Sequence, residues 1–389
     1  MTVFPTALFF DDARVFDPGI GETMPTLRLA WGRVSEVGGR PRRGDRVLEL
    51  GGAVVLPGLV NAHDHLHLTN FPHLKYREVY PNAHQWSQDL EVRLDTDPVI
   101  LAARAVPLTE RLFLGALKNL LSGATTVSHH DPFYGPLRRR MPVRVVRHYG
   151  WCHSLARGGD IALSWRRTPR RWPWIIHLAE GTDATALQEL QALDVLGCLQ
   201  PNTVVVHGVG LSAHDRAELA VRGGGLVWCP SSNRFLLGTT AHTVELSQAR
   251  RLAIGTDSRL TGSRDLLDEL AVARGTEQLD TASLLRAVTV DAARLLRLAG
   301  VGHLTPGSRA DVLILPPGDP TESVGRVRRE EIRAVLLGGH VQVADPDFAP
   351  FLPGGVAVTI DGRPKLLQPR VARRAAACPI PEPGLEIGR

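Results

Sequence analysis

Between about residue 56 and residue 305, short apolar runs alternate with longer segments of helical periodicity, and this alternation constrains the fold more than any other feature. Parallel strands need long crossovers, usually helices, so the pattern reads as successive βα units around a parallel sheet. The apolar runs are 54–60, Thr125 to Ser128, Val143 to Tyr149, Trp174 to Leu178, Thr203 to His207, Gly225 to Cys229 and Leu252 to Gly255. Helical periodicity marks Pro98 to Leu121 (interrupted at Pro107), Ala184 to Leu196, Ala213 to Val221, Arg264 to Ala273 and Thr281 to Leu298. Seven strands are visible and the interval 66–124 has room for an eighth, so the economical expectation is an α/β chain folded as a (β/α)8 TIM barrel.

Both ends of the chain read differently. Residues 1–55 carry short β-like runs separated by turn formers such as Asp17-Pro18-Gly19, and short strands return after residue 305. Neither end holds enough apolar surface to fold alone. The expected organisation is a small composite β-sandwich domain from 1–55 plus 306–367, a barrel over 56–305, and an Arg/Ala/Pro-rich tail over 368–389 that is extended or disordered.

No apolar run approaches the ~18–20 residues of a membrane span. Met1 to Phe10 lacks a basic region followed by a long apolar one, so no secretory signal is expected. The cysteines, Cys152, Cys198, Cys229 and Cys378, form no Cys-x-x-Cys pair, which fits a reduced cytoplasmic protein and argues against a cysteine-bound structural zinc. A net charge of +5 and a pI near 9.3 invite a nucleic-acid reading. The densest basic runs, Arg138-Arg139-Arg140 and Arg166 to Arg171, are read instead as solvated surface, and a small-molecule substrate and a homodimeric assembly are the partners expected.

Chemistry gathers where apolar strands end. The run from Val54 finishes in His63-Asp64-His65, and side chains two apart on a strand face the same side, so the two histidines can share one ion. Alone, the pair fits two loop histidines equally well. Three further strand ends repeat the design: Trp174 to Leu178 carries His177 with Glu180 three residues later, Thr203 to Val206 ends in His207, and Leu252 to Gly255 is followed by Asp257. Each alone has a plainer explanation: a satisfied core histidine, a first-turn acid for Glu180, or a helix N-cap for Asp257. Barrel strands, however, converge at their C-terminal ends, where active sites sit. Neutral imidazoles plus a carboxylate suit a divalent transition metal with a position open to water.

The segments Pro57 to His65, His177-Leu178-Ala179-Glu180, His207-Gly208, Cys229-Pro230-Ser231-Ser232-Asn233 and Gly255-Thr256-Asp257-Ser258, in that order, resemble the amidohydrolase superfamily. They look most like its aminohydrolase branch of cytosine, guanine and S-adenosylhomocysteine deaminases and triazine hydrolases. The likeness covers roughly residues 1–345 and includes Gly307-Ser308-Arg309-Ala310-Asp311, similar to that family's return to its small β domain. It implies one divalent metal, zinc or iron, on His63, His65, His177 and Asp257, with Glu180 as proton shuttle and His207 polarising the substrate or steadying water. Two-metal branches use a bridging modified lysine; only Lys118 is approximately placed here, in a helical pattern, so a single metal is expected.

The implied reaction is hydrolysis of a C–N bond, chiefly deamination of an amino-substituted heterocycle, with cyclic-amide hydrolysis or another leaving group as the alternative on the same scaffold. A non-catalytic barrel would be expected to lack ligands, and none is missing. Substrate contacts are expected from Trp86 in the aromatic- and histidine-rich stretch 67–86, from His130 in His129-His130-Asp131, from Trp151, and from Asn233.

Overall fold

The computed structural model describes residues 7–139 and 141–388; Arg140 of the arginine run and the first six residues, with the signal expectation placed there, lie outside the described residues, as does Arg389. The β segments of both chain ends join one eleven-stranded sheet. Leu8–Phe16 lies parallel to Arg46–Pro57, which pairs antiparallel with Val312–Pro317 from the far end of the chain. Arg46–Pro57 becomes fully buried only in its second half, where it enters the core. Gly58 then turns the chain into the strand Leu59–Asp64; a Cβ there would sit 2.3 Å from the Thr125 side chain, so only glycine permits the approach.

Eight parallel strands follow in two groups. Leu59–Asp64, Ala124–His129 and Arg144–Val145 form a three-stranded sheet, and Gly150–Ser154, Trp174–Leu178, Thr203–His207, Gly225–Trp228 and Leu252–Ile254 form a five-stranded one. Strands are buried along their length, as expected where helices cover them. The two groups meet where the Asp257 amide donates to the His63 carbonyl.

Three expectations need correction. The interval 66–124 holds helices at Ala83–Glu91, Pro98–Ala105 and Leu108–Leu121 but no strand; the eighth strand is Gly150–Ser154, and only Arg144–Val145 of the expected 143–149 run is strand. The helix expected over Thr281–Leu298 breaks at Thr289, because the Val288 carbonyl is taken by the Val60 amide. The tail is ordered: Pro369–Ala377 is a helix whose N-terminus the Gln368 side chain caps, and Leu385–Ile387 pairs with Val356–Ile360. Buried Glu382 binds both Arg259 and Arg329, so the last residues are tied by charge to segments far back in the sequence. Among the described residues no helix is long and apolar enough to cross a membrane.

Candidate metal centre and active site

The strand ends bring His63, His65, His177 and Asp257 together. His177 Nε2 lies 3.3 Å from His63 Nε2 and 3.4 Å from His65 Nε2. Asp257 Oδ1 lies 3.6 Å from His65 Nε2 and 3.9 Å from His63 Nε2. A tetrahedral zinc with bonds of ~2.0–2.1 Å needs donors roughly 3.3 Å apart, so these four fit one ion. Gly255 lets Asp257 approach, since a Cβ there would meet the His63 amide nitrogen at 2.7 Å. Burial, then the neighbouring histidines, hold His63 and His177 well below the usual imidazole range, which keeps their lone pairs free.

Two of the four donors, His65 and Asp257, are aimed by neighbours. His65 Nδ1 sits 2.6 Å from Asp131 Oδ2; burial pushes this imidazole down, but Asp131 outweighs it and the group rises to about 9. A carboxylate behind a histidine fixes its ring and strengthens it as a donor. Asp257 Oδ2 accepts from Ser232 and Thr261 hydroxyls at 2.7 and 2.8 Å, leaving Oδ1 toward the histidines. Burial would raise Asp257, yet the nearby histidines and these hydroxyls bring it below the usual carboxylate range.

Beside the cluster stand Glu180 and His207, with Glu180 Oε1 3.6 Å from His207 Nε2. Burial, then Asp257 and Glu189, push Glu180 well above the carboxylate range, which favours its protonated form. His207 is pushed down to about 4 by burial, against the pull of Asp257. A relay sets its tautomer: Trp228 Nε1 donates to Thr240 Oγ1, which donates to Asn233 Oδ1, so the Asn233 amide donates to His207 Nδ1 at 3.0 Å. His207 Nε2 then carries the hydrogen facing the site. His207 and Asp257 have φ of 75° and 54°, as does nearby Ala179 at 54°, a conformation that costs non-glycine residues ~1–3 kcal/mol each. Such strain at strand ends accompanies functional placement.

A cavity of about 470 Å³ opens over the cluster. Of the expected substrate contacts, Trp86 lines it, along with Phe71 and His84 of the same stretch. Asn233 is instead fully buried behind His207. His130 is buried against the cluster with Trp151 edge-on at 5.7 Å, and neither lines the cavity. Lys118 is buried, its ammonium 3.1 Å from Asp64. Asp131, Ser232 and Thr261 were not singled out individually by sequence; the His129-His130-Asp131 run was the available signal for the first.

The Amidohydrolase family model matches residues 175–343. A 5-methylthioadenosine/S-adenosylhomocysteine deaminase of Syntrophobacter fumaroxidans is 26% identical over 416 residues, covering 86% of this chain and 90% of the relative. An 8-oxoguanine deaminase of Pseudomonas aeruginosa is 26% identical over 391 residues, covering 75% and 82%. An adenosine deaminase from Xanthomonas campestris, solved with bound zinc, superposes with a TM-score of 0.71 at 20% identity, covering 87% of this chain and 93% of that one. These likenesses imply a TIM-barrel-type α/β fold.

Proposed function

We propose that the chain is an amidohydrolase, a reading supported by the family model over residues 175–343, and that it is a mononuclear metal-dependent hydrolase that deaminates an amino-substituted heterocycle. The observation that carries the reading is the juxtaposition of buried Glu180 with His207 and with four donors spaced for one ion. His63, His65, His177 and Asp257 are the proposed ligands, with zinc favoured because a structural neighbour holds it and iron as the other candidate. A divalent ion there supplies Lewis acidity, which lowers the pKa of a bound water towards ~7. Asp257, kept ionised, accepts the proton of the attacking water. Glu180 delivers its proton to a ring nitrogen as the amino-bearing carbon becomes tetrahedral; the proton taken by Asp257 then passes to the departing amine, which leaves as ammonia, and the hydroxyl proton returns to Glu180 as the carbonyl forms. His207 Nε2–H donates to the developing charge. Trp86, Phe71 and His84 form the wall against which the ring lies.

The eight parallel strands are proposed to close as a (β/α)8 barrel over 56–305, supported by the Asp257 to His63 backbone bond between the first and last of them. The composite sheet is proposed to fold over as a sandwich, since Leu27, Leu29 and Val34 share one apolar cluster with Val341 and Leu352 far across the strand order. A reducing cytoplasmic setting fits four free cysteines, and a homodimer, testable by light scattering, completes the proposal.

The test is an ammonia-release screen over purines, pyrimidines, triazines and pterins, paired with metal analysis. Glu180→Gln should keep metal and lose turnover; a glutamine variant that still releases ammonia at the parent rate removes Glu180 from the mechanism.

A further inference from the structure

His130 follows the strand Ala124–His129 and is 1% exposed. Its Nε2 lies 3.0 Å from the Cys152 carbonyl oxygen. A carbonyl can only accept, so Nε2 carries the ring hydrogen and Nδ1 is left with a lone pair. That Nδ1 is buried and finds no hydrogen-bond partner among the described residues. An orphaned buried acceptor costs ~1–3 kcal/mol, a cost that a bond to an ion would remove.

The ring stands against the metal cluster. Its centroid is 4.3 Å from that of His177, 5.0 Å from His63 and 5.8 Å from His65. Each of these four histidines offers a nitrogen, and the four nitrogens lie within 4.8 Å of one another. Donating one ring N–H to a backbone carbonyl while the other nitrogen stays bare is how metal-ligating histidines are commonly held. Packing against Trp151 explains where the ring sits but not why Nδ1 is unpartnered.

Resting on the metal-centre reading above, we propose that His130 ligates, through Nδ1, the same ion as His63, His65, His177 and Asp257. The centre then has five protein donors, four nitrogens and one oxygen. With the water as a sixth ligand, such a set suits ions that accept six ligands, such as iron(II) and cobalt(II).

The test uses the full chain, stripped of metal and reloaded with zinc or cobalt(II). In His130→Ala and in the volume-conserving His130→Gln, zinc affinity measured by competition with a chromophoric chelator should fall tenfold or more. The visible absorption of the cobalt(II) form should change as one nitrogen donor is lost, and added imidazole should restore both properties to the alanine variant. Folded variants with parental affinity and an unchanged cobalt spectrum overturn the assignment. If both variants fail to fold, histidine 15N spectra of the zinc-loaded parent decide it: four metal-bound imidazoles are expected, and three overturn it. A parent chain that takes up no metal, or a His63→Ala variant that binds it as the parent does, overturns the metal centre itself.

Discussion

The strand-end cluster and the helical excursion over its mouth are held by different forces. In the cluster three side chains answer to specific partners: His65 to Asp131, Asp257 to Ser232 and Thr261, His207 to Asn233. The excursion from Leu66 to Ala105 rests on a small apolar cluster, Phe71, Ile100, Ala103 and Leu260 with Trp86, Leu90 and Leu94 against it. Its outer face relies on pairs such as Arg77–Asp89 and Arg104–Asp95, which are exposed and contribute little. Directional partners fix a geometry to fractions of an ångström; apolar contact tolerates repacking. On the proposed function, the chemistry would sit on the rigid part and substrate choice on the part that can vary.

Breaking the rigid part should have the largest effect. His177→Ala removes the donor closest to both other histidines, and it should abolish metal uptake and ammonia release together while the circular dichroism spectrum persists. Metal content at parental level in that variant would break the contrast.

Next comes a charge buried beneath the site. Glu269 accepts from the Ser231 amide at 2.9 Å, under the helix that carries Ser232 and Asn233, and its Oε2 has no hydrogen-bond partner among the described residues. Burial raises its pKa from 4.5 to about 7 against the hydrogen bonds from Ser231 and Ser263. The folded chain thus holds this proton more tightly than the unfolded one. Its contribution is complete at pH below the unfolded value and is lost as pH rises toward about 7. The loss is on the order of 3 kcal/mol across that window. Glu269→Gln should flatten this fall, read as urea midpoints from pH 5 to pH 8, with turnover retained. Parallel slopes in parent and variant would show that Glu269 ionises freely.

Asp131→Asn sharpens the comparison from inside the cluster. It keeps the shape behind His65 but removes the charge, and should weaken metal binding about 10–100-fold with the four donors intact. An unchanged affinity would mean that His65 is aimed by packing alone.

How much of this could be read beforehand follows from the same division. His63, His177, His207 and Asp257 stood out because polar residues at the ends of apolar strands have few reasons to be there. Asn233 was visible in its motif, but its partner was not: only the relay through Thr240 and Trp228 reveals that it serves His207 rather than the substrate. The strand Gly150–Ser154 escaped notice because Gly-Trp-Cys-His-Ser has neither an apolar run nor clean alternation. Its opening glycine is required where a Cβ would strike Thr168 Oγ1 at 1.8 Å, a tertiary reason no local pattern carries. The arginines and prolines of the tail suggested disorder, yet Val371 and Ala372 are buried and Arg374 lies over the Phe113 ring at 4.3 Å. Composition could not show that the alanines and arginines fall on opposite needs of one short helix.

The smallest effect belongs to the excursion. Trp86 lines the cavity and its Nε1 donates to the Leu74 carbonyl at 2.9 Å, pinning two parts of the excursion to each other. Trp86→Phe keeps an aromatic wall and loses that bond, worth about 1 kcal/mol. If the excursion governs recognition alone, KM should rise about fivefold while kcat stays within about twofold, because the donors beneath are positioned by other partners. A loss confined to kcat would mean that the excursion reaches into the chemistry, and that the mouth and the cluster form one rigid unit after all.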